Sequence, residues 1–292
     1  MTDFLEQVIA ERRADVARDK ATVSQDELLA SAKENVLSRS TGAGLRGWRP
    51  GYDGFTAALR VRPWGQIAVI AEVKRVSPAL GVLDAEADPP TLASWFRAAG
   101  ATAISVLTEP RHWGGSLADL AAVRDEVPRL PILCKDVIVD EYQIVQARAA
   151  GADAVLLIAE ALSDEELRRF IDRANRLGMG VLVEAHEPVA FGRAVATGAP
   201  VVGVNARNLR RPREIDIGRV RQLHTFVREH QVLVAESGIT SVEDVRMLPA
   251  RVAAVLIGSA LMLADDPKPL IQGILSIHRE PLAAKAAARR RS

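Results

Sequence analysis

One motif recurs eight times between residues 67 and 258: a run of five to eight residues rich in Val, Ile, Leu and Ala, bounded by charged, Gly or Pro residues. The runs are Ile67–Lys74, Thr102–Leu107, Pro131–Lys135, Ala154–Ile158, Gly180–Glu184, Val201–Asn205, Val232–Glu236 and Ala253–Gly258. Near-continuous apolar character, without in–out alternation, marks strands covered on both faces, as in a parallel sheet. Their ends fall roughly 20 to 35 residues apart, room for a strand, a helix and two loops. Helical spacing fills most intervals, as with Leu92, Trp95, Phe96 and Ala99, or Ile144, Ala147, Arg148 and Gly151. A weak internal repeat agrees. Ala98-Ala99-Gly100-Ala101, Ala149-Ala150-Gly151-Ala152 and Ala196-Thr197-Gly198-Ala199 share one plan, each glycine placed to end a helix in the left-handed conformation before a strand begins. Eight strand–helix units predict an α/β chain folded as a (β/α)8 TIM barrel. A doubly wound open sheet would carry Gly-x-Gly-x-x-Gly after its first strand, and none is present.

Such a barrel takes about 250 residues, and the chain has 292. The surplus lies at the ends. Residues 1–54 read as a helical extension packing on the barrel, with two amphipathic stretches (Phe4, Val8, Ile9 and Val16, then Leu28 and Leu29) broken near Thr22-Val23-Ser24, and a Gly, Arg, Ser and Pro loop from Ser38 to Gly54. Residues 55–280 form the barrel, and 281–292 a basic tail expected to be disordered. The charge balance does not point to a polyanion partner. Thirty-eight basic against 37 acidic residues leave +1, and without the tail's four positive charges −3, so neither nucleic acid nor a membrane surface is expected and anion affinity must be local. No apolar run reaches the roughly 20 residues that span a bilayer. With Cys134 the sole cysteine and no secretion signal at Met1-Thr2-Asp3, a soluble, cytoplasmic monomer or weak homodimer is expected.

Function in a barrel concentrates at the C-terminal strand ends, where a polar residue closing an apolar run faces the mouth. Here those residues are Glu72 and Lys74, Lys135, Glu184, Asn205 with Arg207, Glu236 with Ser237, and Gly258 with Ser259. Only six of the 38 basic residues are lysine, yet two of them, Lys74 and Lys135, end strands. Lysine, unlike arginine, can give up a proton near neutrality, and burial or a neighbouring cation would lower its pKa and make it a general acid. Strand parity puts Glu72 and Lys74 on one side, as a structural salt bridge or a shared proton network. Glu184 is placed to be a carboxylate base across the mouth. Glu236-Ser237-Gly238 and Ile257-Gly258-Ser259 set small residues and backbone N–H groups after strands seven and eight, where barrels commonly hold phosphate. Cys134 alternates away from Lys135 toward the helix layer, and His112 and His186 lack metal-ligand spacing, so no metal is expected.

At these residues the sequence resembles the indole-3-glycerol phosphate synthase family. The matching stretches include Ile70-Ala71-Glu72-Val73-Lys74-Arg75-Val76-Ser77-Pro78, Lys135-Asp136, Leu182-Val183-Glu184, Gly203-Val204-Asn205, Arg207-Asn208-Leu209, Ala235-Glu236-Ser237-Gly238-Ile239 and Leu256-Ile257-Gly258-Ser259. The resemblance covers about residues 67 to 270, and the N-terminal extension is similar too. It implies a cofactor-free carboxy-lyase of tryptophan biosynthesis. The phosphorylated small-molecule substrate, 1-(2-carboxyphenylamino)-1-deoxyribulose 5-phosphate, would close its ring with loss of carbon dioxide and water. It implies Lys135 as acid with Lys74 assisting, Glu184 as base, Glu72 holding Lys74, and Asn205, Arg207, Glu236 and Ser237 positioning the substrate. Ser77, Gly238, Gly258 and Ser259 would complete the carboxylate and phosphate contacts.

The chain departs from the family's pattern at Cys134 and Val137, where Arg-Lys-Asp-Phe is usual, and at Ala206. Val137 stands where the family's Phe would press on the substrate's aromatic ring, a contact worth roughly 0.5–1.5 kcal/mol beyond area burial. Either binding weakens, or room opens for a ring-modified substrate in a paralogue. Two other readings stand beside the lyase: a barrel aldolase using Lys135 or Lys74 as a Schiff-base nucleophile, and a non-catalytic barrel that binds partners.

Overall fold

The computed structural model describes residues 3–40, 53–60 and 65–279. Two helices, α1 (Phe4–Thr22) and α2 (Gln25–Ser40), precede a short α3 (Gly54–Arg60). The chain then runs through β1 (Ala68–Val73), a two-stranded ribbon of β2 (Val76–Ser77) and β3 (Gly81–Val82), α4 (Pro89–Ala99), β4 (Ala103–Leu107), α5 (Leu117–Glu126) and β5 (Ile132–Lys135). It continues as α6 (Glu141–Ala150), β6 (Ala154–Ile158), α7 (Asp164–Arg176), β7 (Gly180–Ala185), α8 (Pro188–Ala196) and β8 (Val201–Asn205). The last units are α9 (Gly218–Leu223), β9 (Val232–Glu236), α10 (Val242–Arg246), β10 (Val252–Ile257), α11 (Ser259–Met262) and α12 (Lys268–Leu275). Every neighbouring pair in the closed ring β1-β4-β5-β6-β7-β8-β9-β10 is parallel, which makes the eight-stranded TIM barrel.

Each of the eight apolar runs coincides with one of these barrel strands, with ends displaced by one residue at most. The reason is parity. Val69, Ala71 and Val73 face the helices while Ala68 and Ile70 face the interior, so both sides of the strand are apolar and only its polar end breaks the run. Gly100 and Gly151 cap α4 and α6 with φ of 100° and 102°, and Gly198 follows α8 at φ 76°, so the repeated glycines turn helix into strand as expected. Trp95 is an exception to the core pattern: Phe96 is fully buried, but Trp95 is turned to solvent on the outer side of α4.

The extension covers both ends of the barrel. At the N-terminal end, α3 inserts Phe55 and Leu59 into the interior cluster, and the Asp53 side chain occupies the space that a Cβ on Gly180 would take. Near the mouth, α1 lies across the β4 and β5 loops. Arg12 of α1 forks onto Asp136 (3.0 and 2.9 Å), Arg111 bonds Asp15, and His112 Nε2 sits 2.6 Å from Glu11. Val23 ends α1, as the break near Thr22-Val23-Ser24 predicts, but α2 continues to Ser40, past the expected loop start at Ser38. Most of that loop and the 281–292 tail lie outside the described residues. No described helix is long and apolar enough to cross a membrane.

Candidate active site

Barrel closure gathers side chains from distant strands into one ring at the mouth. Glu72 ends the inward face of β1, and the Nζ of Lys74 lies 2.8 Å from its Oε1. Lys135 ends β5, with Nζ 3.5 Å from Glu184 on β7, 3.8 Å from Glu236 on β9 and 4.0 Å from Glu72. Asn205 on β8 donates Nδ2 to Glu184 Oε1 at 3.4 Å, and its own Oδ1 accepts the Arg207 N–H at 2.9 Å, which fixes the amide's orientation. Glu72, Glu184, Asn205 and Glu236 are all buried. Two glycines make this crowding possible. A Cβ on Gly203 would collide with Glu236 Oε1, and one on Gly258 would collide with Glu72 Oε1 and come within 3.0 Å of Lys74 Nζ. Gly258 thus makes room for an ion pair as well as standing at the expected anion site.

The electrostatics depart from expectation at Lys135. Burial by itself would lower its pKa, but Glu184, Glu72 and Glu236 more than compensate and raise it. A lowered value belongs to a lysine beside another cation, and this one is surrounded by carboxylates. Burial likewise opposes ionisation of Glu72, yet Lys74 and Lys135 draw its pKa below the ordinary value. Glu236 goes the other way. Burial first, then the Glu184 charge, lift its pKa well above the usual carboxylate range despite Lys135, and neither of its oxygens has a hydrogen-bond partner in good geometry among the described residues. Its surroundings thus draw Glu236 toward the protonated form. Cys134 points to the helix layer beside Thr108 (3.3 Å), its thiol pushed up to about 12 by burial, consistent with an inert core thiol.

Two spaces meet at Lys135. One is a cleft of about 490 Å³ with a polar side formed by Glu72, Lys74, Asn205, Arg207, Glu236, Ser237, Gly238, Gly258 and Ser259 and an apolar side that includes Leu80, Trp113, Leu209 and Ile215. The other is an apolar slot of about 30 Å³ walled by Phe4, Leu5 and Val8 of α1 together with Leu107, Trp113, Val137, Leu156, Ile158 and Leu209, with Glu184 beside it. Val137, two residues past the end of β5, faces the same slot as Lys135. Ser77 does not reach either space: it is buried in β2, its Oγ accepting the Ala79 N–H at 3.4 Å. His186 is occupied by the Asn205 carbonyl at 2.8 Å. At the cleft's far side Ser237 and Gly238 are successive left-handed residues (φ 65° and 73°), a strained turn of the kind found at binding sites. Beside it α11 begins, and Gly258, Ser259 and Ala260 line the cleft.

Sequence reasoning does not reach the slot's α1 wall or Trp113. Phe4 and Val8 carry only a generic amphipathic signal, and their destination depends on contacts more than 90 residues away in sequence, such as Arg111 with Asp15. Trp113 had a local cue: a large aromatic followed by Gly114-Gly115, where a Cβ on Gly115 would strike the Leu107 carbonyl, so the loop must fold tightly back over the strand end.

A TIM barrel whose mouth joins an ammonium–carboxylate ring to a left-handed turn and an apolar slot has the architecture of the barrel enzymes that act on small phosphorylated metabolites. Solved structures share the fold: a 3-hexulose-6-phosphate synthase superposes with a TM-score of 0.57 at 16% identity, covering 72% of this chain and 99% of its own. The family model described as indole-3-glycerol phosphate synthase matches residues 5–274, and the chain belongs to that family. Relatives bearing that name include one from Streptomyces coelicolor, 44% identical over 95% of this chain and 96% of its own length. Another, from Nocardioides sp., is 45% identical over 86% and 98%.

Proposed function

We propose that the chain converts 1-(2-carboxyphenylamino)-1-deoxyribulose 5-phosphate to indole-3-glycerol phosphate with release of carbon dioxide and water, as a carboxy-lyase of tryptophan biosynthesis. The observation that carries this reading is the place of Lys135, whose ammonium stands where an apolar slot opens into a polar cleft. The substrate is divided in the same way, with an aromatic ring at one end and a phosphate at the other.

Ring closure forms a bond between the aromatic carbon that bears the carboxylate and the ribulose C2, while Lys135 passes its proton to the C2 oxygen. Carbon dioxide then leaves, and the electron pair of the broken bond restores the aromatic ring. The new hydroxyl departs as water with a proton from a lysine ammonium, and a proton leaves the former C1 to a carboxylate base as the pyrrole double bond forms. Each step is a proton transfer or a bond change within the substrate, so none calls for a cofactor or a metal. The raised pKa of Lys135 keeps it charged through the neutral range, which suits a donor to a developing alkoxide. It disfavours a Schiff-base aldolase, which needs the neutral amine. Glu184 is the base, Glu72 holds Lys74, and Lys74 assists or anchors the anionic substrate. Asn205, Arg207, Glu236 and Ser237 position it, while Gly238, Gly258 and Ser259 contact its carboxylate and phosphate; Ser77, which lines neither space, makes no such contact.

Indole fluorescence that appears on adding this substrate tests the reaction directly. Lys135→Ala is expected to lower kcat by about 100- to 10,000-fold, the usual worth of a general acid. Turnover within a few-fold of the parent would overturn the assignment.

A further inference from the structure

We propose that Arg213 anchors an oxyanion of the substrate, an inference that rests on the reading above and extends it to a residue with no assigned role. Four cations line the polar cleft: Lys74, Lys135, Arg207 and Arg213. Three are already engaged. Lys74 is 2.8 Å from Glu72, and Lys135 has three carboxylates within 4.0 Å. The half-buried Arg207 guanidinium donates Nη1 to the Pro212 carbonyl at 2.5 Å. Arg213 alone among these four has no hydrogen bond or ion pair with any described residue.

The loop presenting it is a closed ribbon. Arg207 and Ile215 form an antiparallel bridge, Asn208 N–H donates to the Glu214 carbonyl at 3.0 Å, and Asp216 N–H donates to that of Ala206 at 2.8 Å. The Arg207 bond to Pro212 pins the residue just before Arg213, and Ile215 packs so close to Gly238 that a Cβ there would lie 2.9 Å from Ile215 Cγ2. Arg213 is therefore carried on a braced ribbon beside the Ser237-Gly238 turn. The substrate brings a carboxylate and a phosphate, the latter carrying about −1.5 to −2 near neutrality. The two lysines are largely neutralised by Glu72 and Glu184, which leaves Arg207 and Arg213 to balance the incoming charge. A guanidinium fork pairs with either oxyanion through charge-assisted hydrogen bonds.

Steady-state kinetics and titration calorimetry on the full chain test this with Arg213→Ala, Arg213→Lys and Arg211→Ala. Arg211 pairs with Glu214 at 3.0 Å on the exposed side of the same ribbon and controls for a general loss of positive charge. Arg213→Ala should raise KM about tenfold with kcat within about twofold, the lysine variant should recover part of the loss, and Arg211→Ala should stay within about twofold of the parent. Calorimetry with inorganic phosphate and, separately, with anthranilate tells which oxyanion is held: the one whose affinity falls about tenfold in Arg213→Ala. An unchanged KM, a KM rise matched by Arg211→Ala, or undiminished affinity for both anions would overturn the proposal. A parent protein without turnover would instead overturn the reaction assignment, since the anion titrations do not depend on turnover.

Discussion

Lys135 and Val137 sit two positions apart at the end of β5 and face the same apolar slot. Parity made both legible in the sequence, as it did the Glu72–Lys74 pair. What parity does not reveal is distance across the barrel. The carboxylates around Lys135 come from strands separated by many residues, so the sign of its pKa displacement was set by a closure the sequence does not spell out. Gly203 was hidden for the same reason, since its value lies in the space it leaves for Glu236. Val137 bears on specificity. The slot holds about 30 Å³, little more than one water, and three of its walls belong to α1. Val137→Phe would narrow it further and press on a ring bound at its mouth. It should shift kcat/KM about tenfold toward the plain substrate relative to one carrying a ring methyl group, the scale of a lost or gained aromatic contact. Equal effects on both substrates in steady-state assays would show that Val137 does not select the ring.

At the scale of elements, the strands were readable because each is apolar on two faces and polar at one end, whereas α1, α3 and the β2–β3 ribbon take their places from tertiary contacts. The docking of α1 shows how this reaches the site. Arg12 and Asp136 are both buried and joined by a two-pronged ion pair, and Asp136 also accepts the Thr108 hydroxyl at 2.8 Å and the Val137 N–H at 2.7 Å. Burial opposes the charge on Arg12, and Asp136 more than restores it, raising the guanidinium pKa. One carboxylate thus links the helix that walls the slot to the strand that carries Lys135. Asp136→Asn keeps the shape but takes from buried Arg12 its two-pronged counter-charge and leaves Asp15 at 3.4 Å, so the cost stays below the roughly 3–5 kcal/mol of a buried charge left wholly unpaired. The expected result is faster proteolytic cleavage within residues 4–22 and a KM increase larger than any fall in kcat. Protection of α1 equal to the parent's would show that its other ties, such as Arg111 with Asp15, suffice on their own.

For the whole molecule, closing the barrel concentrates charge that the open chain would keep apart, so the site and the fold pull against each other. Glu236 shows the conflict most clearly. Burial and then Glu184 raise its pKa well above the ordinary glutamate value. Between that ordinary value and the raised one, the folded chain holds a proton that the unfolded chain has released. Stability must therefore fall as pH rises through this window. Lys135 does not mask the effect, because its own pKa is raised: its contribution is fully present below the ordinary lysine value and is lost only as pH climbs through the folded one. Glu236→Gln keeps the shape, remains neutral at every pH and removes the titration. Its melting temperature should gain on the parent's steadily as pH is raised from the ordinary glutamate range to neutrality, while kcat falls. Melting curves recorded in parallel across that range decide the matter: a difference between the two proteins that does not change with pH would mean that Glu236 is ionised in the folded barrel.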